Sequence, residues 1–196
     1  MLKSFRGGLV SEKLLQGLSV FLVGMMGAGK TSVGEVLAQK LGYRFFDMDV
    51  LIERVKGCAI SEIFAQGGEA EFREIETQVL AQLSAYTQSA IATGGGVVLD
   101  PMNWSYLQQG LVVWLDAPVE LLSERLAEDN TRPLLQQGDL VEKLNKILEQ
   151  RSNLYAQADL KITIQPHQSP EEIAIAIIDS IPAILKAKQT NPSLES

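Results

Sequence analysis

The sequence is poor in the residues that build several common active sites. It contains one cysteine, Cys58, and therefore cannot form an internal disulfide bond. It also contains only one histidine, His167. Histidine-based triads and multi-histidine metal centres are also disfavoured. We interpret Cys58 as a small buried apolar residue in a reducing compartment. His167 follows Pro166 in a polar stretch and is expected in a solvated loop.

Basic residues and long apolar runs are also scarce. Seventeen Lys and Arg residues against 24 Asp and Glu give a net charge of -7, which argues against a nucleic-acid-binding surface. The longest apolar stretches, 111–115 and 173–178, fall short of the roughly 20 residues that cross a membrane. Lys3 and Arg6 are not followed by the apolar segment of a signal peptide. We expect a cytoplasmic protein that binds neither nucleic acid nor membrane.

The sequence does contain the material for one hydrophobic core, since 46% of its 196 residues are hydrophobic. Apolar runs rich in β-branched and aromatic residues alternate with helical periodicity, which predicts an α/β domain with a parallel sheet. The predicted strands are 18–23, 44–46, 89–93, 111–115 and 160–164. The domain is expected at 18–185, after an N-terminal extension at 1–17 and before a polar tail at 186–196.

Helix signals separate these strands. Asp100-Pro101 and Ser169-Pro170 have the cap and first-turn proline of helix starts. A helix is predicted over about 68–86, with an inward face made of Phe72, Ile75, Val79, Leu83 and Tyr86. Pro182 should kink or end the last helix. Residues 128–139 are polar and punctuated by Gly and Pro, and this pattern predicts a mobile surface loop.

Residues 24–31, Gly-Met-Met-Gly-Ala-Gly-Lys-Thr, match the phosphate-binding pattern G-x-x-x-x-G-K-[ST]. The glycines let backbone N–H groups surround a polyphosphate at a helix N-terminus, and Thr31 can bind Mg²⁺. Lys30 is expected at a solvent-facing helix start, from which it reaches the outer phosphates. A tight turn without a ligand is the weaker alternative. The predicted nucleotide-binding residues here are Gly27, Ala28, Gly29, Lys30, Thr31 and Ser32.

Two further motifs follow predicted strands. Asp47 and Asp49 are expected on one side of an extended segment, because strand side chains alternate. One carboxylate could hold Mg²⁺ and the other could contact an acceptor hydroxyl, although helix capping is an alternative. Residues 93–96, Thr-Gly-Gly-Gly, permit close backbone approach to a ligand or form a flexible turn. Ligands bind at the carboxyl ends of strands in open α/β sheets, which favours a site here.

Three arginines are candidates for anion binding. Arg151 occupies an apolar stripe position in the helix predicted over 139–156, so its charge needs either a protein carboxylate or a ligand anion. Arg73 precedes Glu76 by one helical turn, and an exposed ion pair is one interpretation of the two. Arg132 lies in the 128–139 loop. Closure of that loop over phosphates would bring Arg132 to the transition-state charge.

These motifs, in this order, closely resemble the shikimate kinase family of P-loop proteins, over about residues 18–164. The resemblance implies a three-layer α/β/α sandwich with strand order 2-3-1-4-5, and a monomer with 128–139 as its lid. It implies transfer of the ATP γ-phosphoryl to the 3-hydroxyl of shikimate, with Mg²⁺. The elements that carry it are 24–31, Asp47-x-Asp49, Phe72-Arg73-x-x-Glu76, Gly94-Gly95-Gly96, Arg132-Pro133-Leu134-Leu135 and Arg151-x-x-x-Tyr155.

The resemblance also implies residue roles. Lys30, Asp49 and Arg132 would be catalytic; Thr31 and Asp47 would hold Mg²⁺. Arg132 would reach ATP from the lid, and Arg125 would lie near the adenine. The residues implied to bind shikimate are Asp49, Arg73, Gly94, Gly95, Gly96 and Arg151, with Phe64 and Phe72 as an apolar wall. Spacing alone favours a helical-core interpretation of the two phenylalanines. Thr93 stands where the family often has a serine near Mg²⁺.

Two other functions remain open at this point. A kinase for another hydroxy acid, such as gluconate, fits the phosphate-binding loop but not the combination of Asp47-x-Asp49 with three glycines. A noncatalytic shikimate-binding relative would be expected to lack a site residue, and none is missing. A GTP-dependent switch is disfavoured, because the sequence has no Asn-Lys-x-Asp segment for guanine.

Overall fold

A computed structural model describes residues 15, 17–127 and 139–190 of the chain. The strands are β1 (Val20–Val23), β2 (Arg44–Asp47), β3 (Ser89–Ala92), β4 (Leu111–Asp116) and β5 (Leu160–Thr163). The helices are α1 (Lys30–Leu41), α2 (Met48–Lys56), α3 (Ile60–Ser84), α4 (Pro101–Leu107), α5 (Val119–Leu126), α6 (Leu140–Tyr155) and α7 (Pro170–Thr190), with a short 3₁₀ helix at Val97–Leu99. Within these residues, no helix is both long and apolar enough to span a membrane.

The five strands form one parallel sheet in the order β2-β3-β1-β4-β5. Val20 at the start of β1 pairs with Ala90 of β3 on one side and Leu111 of β4 on the other. All four residues of β1 are buried, as expected for a central strand with helices on both faces. The five predicted strands, the three-layer α/β/α architecture and the strand order implied by the resemblance are thus confirmed.

Capping side chains fix where several helices begin. Asp47, Asp100 and Asp139 each accept backbone N–H groups from the first turns of α2, α4 and α6. At the start of α7, the Glu172 carboxylate accepts hydrogen bonds from the backbone N–H and the hydroxyl of Ser169. The helix starts predicted at Asp100-Pro101 and Ser169-Pro170 are therefore confirmed. These caps set the position of each helix relative to the edge of the sheet.

The structure differs from the sequence prediction in α3. This helix begins at Ile60, and Gly68, predicted as its start, interrupts it with φ 73°. The predicted inward face is correct at Phe72, Ile75, Val79 and Leu83 but wrong at Tyr86, which is 45% exposed. Tyr86 lies beyond the last helical residue, where the periodicity no longer applies. Its ring instead lies 4.9 Å from the guanidinium carbon of Arg44.

Of the two effects predicted for Pro182, an end to the last helix is wrong, because α7 continues past this residue to Thr190. Its residues Ile173, Ile177 and Ile181 are buried in the core. This packing outweighs the helical hydrogen bond that proline cannot make. Outside the helices, Cys58 is half-buried rather than buried, and His167 is exposed, as expected for a loop.

Candidate active site

Two neighbouring pockets open at the carboxyl ends of the strands. Pocket A, of about 470 Å³, is lined along one side by residues 26–33, which connect β1 to α1 and begin that helix. Pocket B, of about 360 Å³, is lined by residues from α2, α3, the 94–96 segment and α6. Met26, Asp49 and Gly95 line both pockets. Ligands in the two pockets would therefore meet at these three residues.

Pocket A contains the predicted phosphate-binding loop. Gly24 has φ 138°, and a Cβ there would lie 2.5 Å from the Leu115 carbonyl oxygen. Gly27 and Gly29 also have positive φ values, 77° and 90°, and Gly29 is the cap from which α1 starts. Glycine is thus required by backbone geometry. All six predicted nucleotide-binding residues at 27–32 line this pocket.

Lys30 is less exposed than predicted. Its side chain is buried at 9% exposure, and its Nζ donates to the carbonyl oxygens of Gly24 and Met25, both at 2.9 Å. The expectation of a solvent-facing lysine is wrong, because the loop folds back over the first turn of α1. The ammonium group is therefore already held inside the loop that lines pocket A.

The two predicted carboxylates lie at the site, but only Asp47 lies on an extended segment. Strand β2 ends at Asp47, whose Oδ1 caps α2 by accepting the N–H groups of Asp49 at 3.0 Å and Val50 at 3.3 Å. Its Oδ2 accepts the Thr31 hydroxyl at 2.7 Å. Asp49 lies in the first turn of α2 and lines both pockets. Asp47 is thus a helix cap and a neighbour of Thr31, so the two interpretations of this carboxylate are compatible.

Side chains pack closely against two of the three glycines at 94–96, Gly94 and Gly96. A Cβ on Gly94 would lie 2.5 Å from Oε1 of Glu76, and one on Gly96 would overlap the guanidinium group of Arg73. The interpretation as a merely flexible turn does not account for this close fit. All three glycines line pocket B. The preceding Thr93 lines pocket A, and its hydroxyl donates to the Leu22 carbonyl at 2.9 Å.

Arg73 is held between two glutamates. Its Nη1 donates to Glu76 at 2.6 Å, and its Nε and Nη2 donate to Glu69 at 3.3 and 2.9 Å. The expectation of an ordinary exposed ion pair is wrong, because the Glu76 side chain is fully buried. Burial raises the pKa of Glu76, and the charge of Arg73 opposes this rise only in part. Pocket B therefore contains a buried carboxyl group beside a cation.

Arg151 is buried at 6% exposure in the wall of pocket B. Its Nη1 donates to the carbonyl oxygen of Gly95 at 3.0 Å, and its buried Nε has no hydrogen-bond partner within the described parts of the chain. No carboxylate among those residues makes an ion pair with it. Of the two partners predicted for this cation, the structure therefore favours a ligand anion.

Phe64 and Phe72 form an aromatic pair, with ring centroids 4.8 Å apart. Both rings line pocket B, and Phe72 is only 5% exposed. The guanidinium carbon of Arg73 lies 5.2 Å from the Phe72 ring centroid. The core interpretation and the pocket-wall interpretation of these residues are compatible, because one side of the pair faces the core and the other faces the pocket.

Of the two remaining predicted residues, Arg125 and Arg132, the structure describes only Arg125. Arg125, near the end of α5, lines pocket A and donates from Nη1 to the Gly27 carbonyl at 3.0 Å. Arg132 and most of the predicted lid, residues 128–138, lie outside the described residues.

Sequence reasoning missed other pocket residues. Gln168, Pro170 and Ile173 line pocket A, and Glu53 and Ser61 line pocket B. None of them belongs to a recognisable motif. Gln168 lies in the connection from β5 to α7, and Pro170 and Ile173 lie in the first turn of α7. Their position after a parallel strand was a usable signal, because connections that leave parallel strands meet at one edge of the sheet.

Comparisons with known proteins agree on one family. The family model for shikimate kinase matches residues 26–182. The shikimate kinase of Microcystis aeruginosa is 58% identical over 172 residues, covering 88% of this chain and 90% of the relative. That of Nostoc punctiforme is 55% identical over 180 residues, covering 92% and 99%. The solved structure of Acinetobacter baumannii shikimate kinase in complex with shikimate has a TM-score of 0.77 at 39% identity, covering 94% of this chain and 99% of that one. The chain therefore belongs to the shikimate kinase family.

Proposed function

We propose that the two pockets divide the substrates of a shikimate kinase, with ATP in pocket A and shikimate in pocket B. The activity is transfer of the ATP γ-phosphoryl group to the 3-hydroxyl of shikimate, giving shikimate 3-phosphate and ADP. The observation that carries this assignment is the contact between the pockets at Asp49 and Gly95. A phosphoryl donor and an acceptor hydroxyl must meet at such a boundary.

In pocket A, the N–H groups of residues 27–32 surround the phosphates at the start of α1. Lys30 exchanges its carbonyl partners in the loop for the outer phosphates, which requires only a local movement of its ammonium group. Arg125, which donates to the Gly27 carbonyl, is assigned to the adenine, together with Gln168 and Pro170. Arg132 is assigned to the phosphates on the strength of the family motif alone.

Mg²⁺ is assigned to Thr31 and Asp47. A hydroxyl and a carboxylate 2.7 Å apart beside the phosphate loop are the oxygen ligands that this ion accepts, and phosphates and water complete its shell in kinases. When bound, Mg²⁺ supplies positive charge to the phosphates. We expect Asp47→Asn to raise the Mg²⁺ concentration needed for half-maximal activity, with partial recovery at high Mg²⁺. A magnesium titration at saturating shikimate checks this, and an unchanged Mg²⁺ requirement would contradict the assignment.

In pocket B, Arg73 and Arg151 are assigned to the carboxylate of shikimate. Arg151 supports this assignment because it is buried and makes no ion pair with the described carboxylates. Asp49 and the backbone of residues 94–96 are assigned to the hydroxyls. Phe64 and Phe72 cover the apolar ring face of the acceptor. The pocket thus offers cations, hydrogen-bonding groups and an aromatic wall to one small hydroxy acid.

The chemical step follows from these positions. The acceptor oxygen attacks the γ-phosphorus, the bond to the bridging oxygen breaks, and ADP leaves with that electron pair. Asp49 orients the hydroxyl and accepts its proton. Lys30 and Arg132 neutralise the charge on the phosphates.

The decisive experiment measures ADP release with shikimate, with gluconate and without an acceptor. We expect release to depend on shikimate and to stay near background in the other two reactions. Comparable release with gluconate would overturn the acceptor assignment. Shikimate binding without ADP release would instead identify a noncatalytic binding protein.

We also propose that the protein works as a monomer in the cytoplasm on small substrates, without nucleic acid or membrane partners. The net charge of -7 supports the absence of a nucleic-acid partner. Size-exclusion chromatography with light scattering tests the oligomeric state, and a dimer at assay concentrations would contradict it.

A further inference from the structure

Tyr155 lies behind pocket B and lines neither pocket. It is the last residue of α6, one helical turn after Arg151, and its side chain is fully buried. Its ring stacks on Trp114, with centroids 5.7 Å apart. Its hydroxyl donates to the carbonyl oxygen of Gly95 at 2.5 Å. The residue therefore touches the site only through other residues.

The Gly95 carbonyl has two donors, Tyr155 at 2.5 Å and Nη1 of Arg151 at 3.0 Å. A carbonyl oxygen has two lone pairs, so these donors use its full capacity. The peptide unit is planar and trans, and its N–H group, which belongs to Gly96, points in the opposite direction. Fixing the carbonyl thus fixes the central peptide of the 94–96 segment that lines pocket B.

The same carbonyl fixes Arg151. The guanidinium group uses Nη1 on Gly95, and its remaining donors are oriented by that contact, because the group is rigid and planar. If the carbonyl rotates, both the glycine segment and the cation change direction. The second donor, Tyr155, limits that rotation.

We propose that Tyr155 is a positioning residue for the acceptor, which it serves by holding the Gly95 carbonyl in the orientation that Arg151 requires. The proposal rests on the assignment of shikimate to pocket B. It predicts a larger effect on the acceptor than on the nucleotide, because Gly95 lines both pockets but Arg151, Gly94 and Gly96 line only pocket B. Nucleotide binding should therefore change much less than acceptor binding.

The test is Tyr155→Phe, which keeps the stacked ring and removes only the hydroxyl. We expect the KM and the Kd for shikimate to rise about 5- to 10-fold, the effect of losing one buried hydrogen bond, while the KM for ATP stays within about 2-fold. Tyr43→Phe is the matched control. Tyr43 is also buried, at 8% exposure, but lines neither pocket, so its variant should keep the wild-type KM for both substrates.

A double-mutant cycle tests the route through Gly95. If Tyr155 acts by orienting Arg151, Tyr155→Phe should raise the shikimate KM much less in an Arg151→Lys background than in the wild type. Additive effects would overturn the proposal. Equal increases in the KM for ATP and for shikimate would also overturn it, as would a lower Tm with unchanged KM values.

Calorimetric measurement of shikimate binding distinguishes a failure of this proposal from a failure of the proposed function. If the wild type binds shikimate without releasing ADP, the function fails, and the Kd of Tyr155→Phe still tests the positioning role. If the wild type binds no shikimate, both fail.

Discussion

Pockets A and B lie side by side but are built in different ways. Pocket A takes nearly half of its lining residues from one continuous segment, 26–33, and its expected phosphate contacts are largely backbone N–H groups. Pocket B collects charged and aromatic side chains from α2, α3 and α6 around the 94–96 segment. The first pocket depends mainly on local backbone geometry, whereas the second depends on the packing of separate elements.

This difference has a consequence for substitutions. In pocket A, the ammonium group of Lys30 and the backbone of the glycine-rich loop carry the expected phosphate contacts of the described residues. In pocket B, both arginines are held by neighbours: Arg73 by Glu69 and Glu76, and Arg151 by Gly95. A change in pocket B should therefore affect more than the altered residue. The predictions below test whether the two pockets respond separately.

The largest effect is expected at the boundary between the pockets. Asp49→Asn should lower kcat by about 10²–10⁴-fold, because it removes the proton acceptor while keeping the size of the side chain. The KM for ATP should stay near that of the wild type. Steady-state ADP release at saturating substrates measures both values. Asp47→Asn provides the contrast, since high Mg²⁺ should restore activity to that variant only. If high Mg²⁺ restores the activity of Asp49→Asn instead, Asp49 binds the metal and the roles assigned to the two carboxylates must be exchanged.

A change confined to pocket A is expected to have the next largest effect. Lys30→Ala should lower kcat by about 10²–10³-fold, since one preorganised cation on the phosphates is lost. Shikimate binding, measured by calorimetry, should remain close to wild type, because Lys30 does not line pocket B. Lys40→Ala is the control, as Lys40 is an exposed lysine in the last turn of the same helix. Near-normal turnover of Lys30→Ala would contradict the assignment of the 24–31 loop to phosphate binding.

The contrast between the pockets also explains what the sequence could predict. The phosphate-binding loop of pocket A was predictable because its residues are contiguous and its glycines have a geometric reason visible in the pattern. The sheet was predictable because its strands are short apolar runs separated by capped helices. The strand order, however, came from the family resemblance, since periodicity within a strand says nothing about its neighbours.

Pocket B shows what the pattern could not predict. The spacing of Arg73 and Glu76 is the same for an exposed pair as for a buried one, and the burial depends on Gly94 packing against Glu76. The end of β2 was also ambiguous, because four residues are too few to show where a strand becomes a helix. Asp49 was therefore assigned to an extended segment instead of to the first turn of α2.

A smaller effect is expected when a cation of pocket B is replaced by another cation. Arg151→Lys should raise the KM for shikimate about 10- to 100-fold, because an ammonium group cannot offer the planar pair of donors that a carboxylate accepts. The KM for ATP should change little. Initial-rate measurements with each substrate varied in turn give both values. If Arg151→Lys mainly lowers Tm while activity per folded molecule is unchanged, Arg151 is a structural residue and pocket B needs another carboxylate partner.

The smallest effect is expected from the buried acid of pocket B, and it concerns stability against pH. Burial raises the pKa of Glu76 above its ordinary value of 4.5, against the opposing charges of Arg73 and Arg151 and with the help of Asp49. Between that ordinary value and the raised pKa, the folded state holds a proton that the unfolded state has released. The contribution of Glu76 to the free energy of unfolding therefore falls as pH rises through this window.

Glu76→Gln should remove this dependence. The free energy of unfolding of the wild type minus that of the variant should therefore decrease as pH rises. Urea unfolding at a series of pH values measures the difference, and Glu74→Gln, an exposed carboxylate on the same helix, separates the effect of burial from the loss of one charge. If the free energy of unfolding of the wild type, minus that of Glu76→Gln, increases with pH, the attraction of Arg73 outweighs the effect of burial on the pKa of Glu76. Pocket B would then hold this acid in its ionised form.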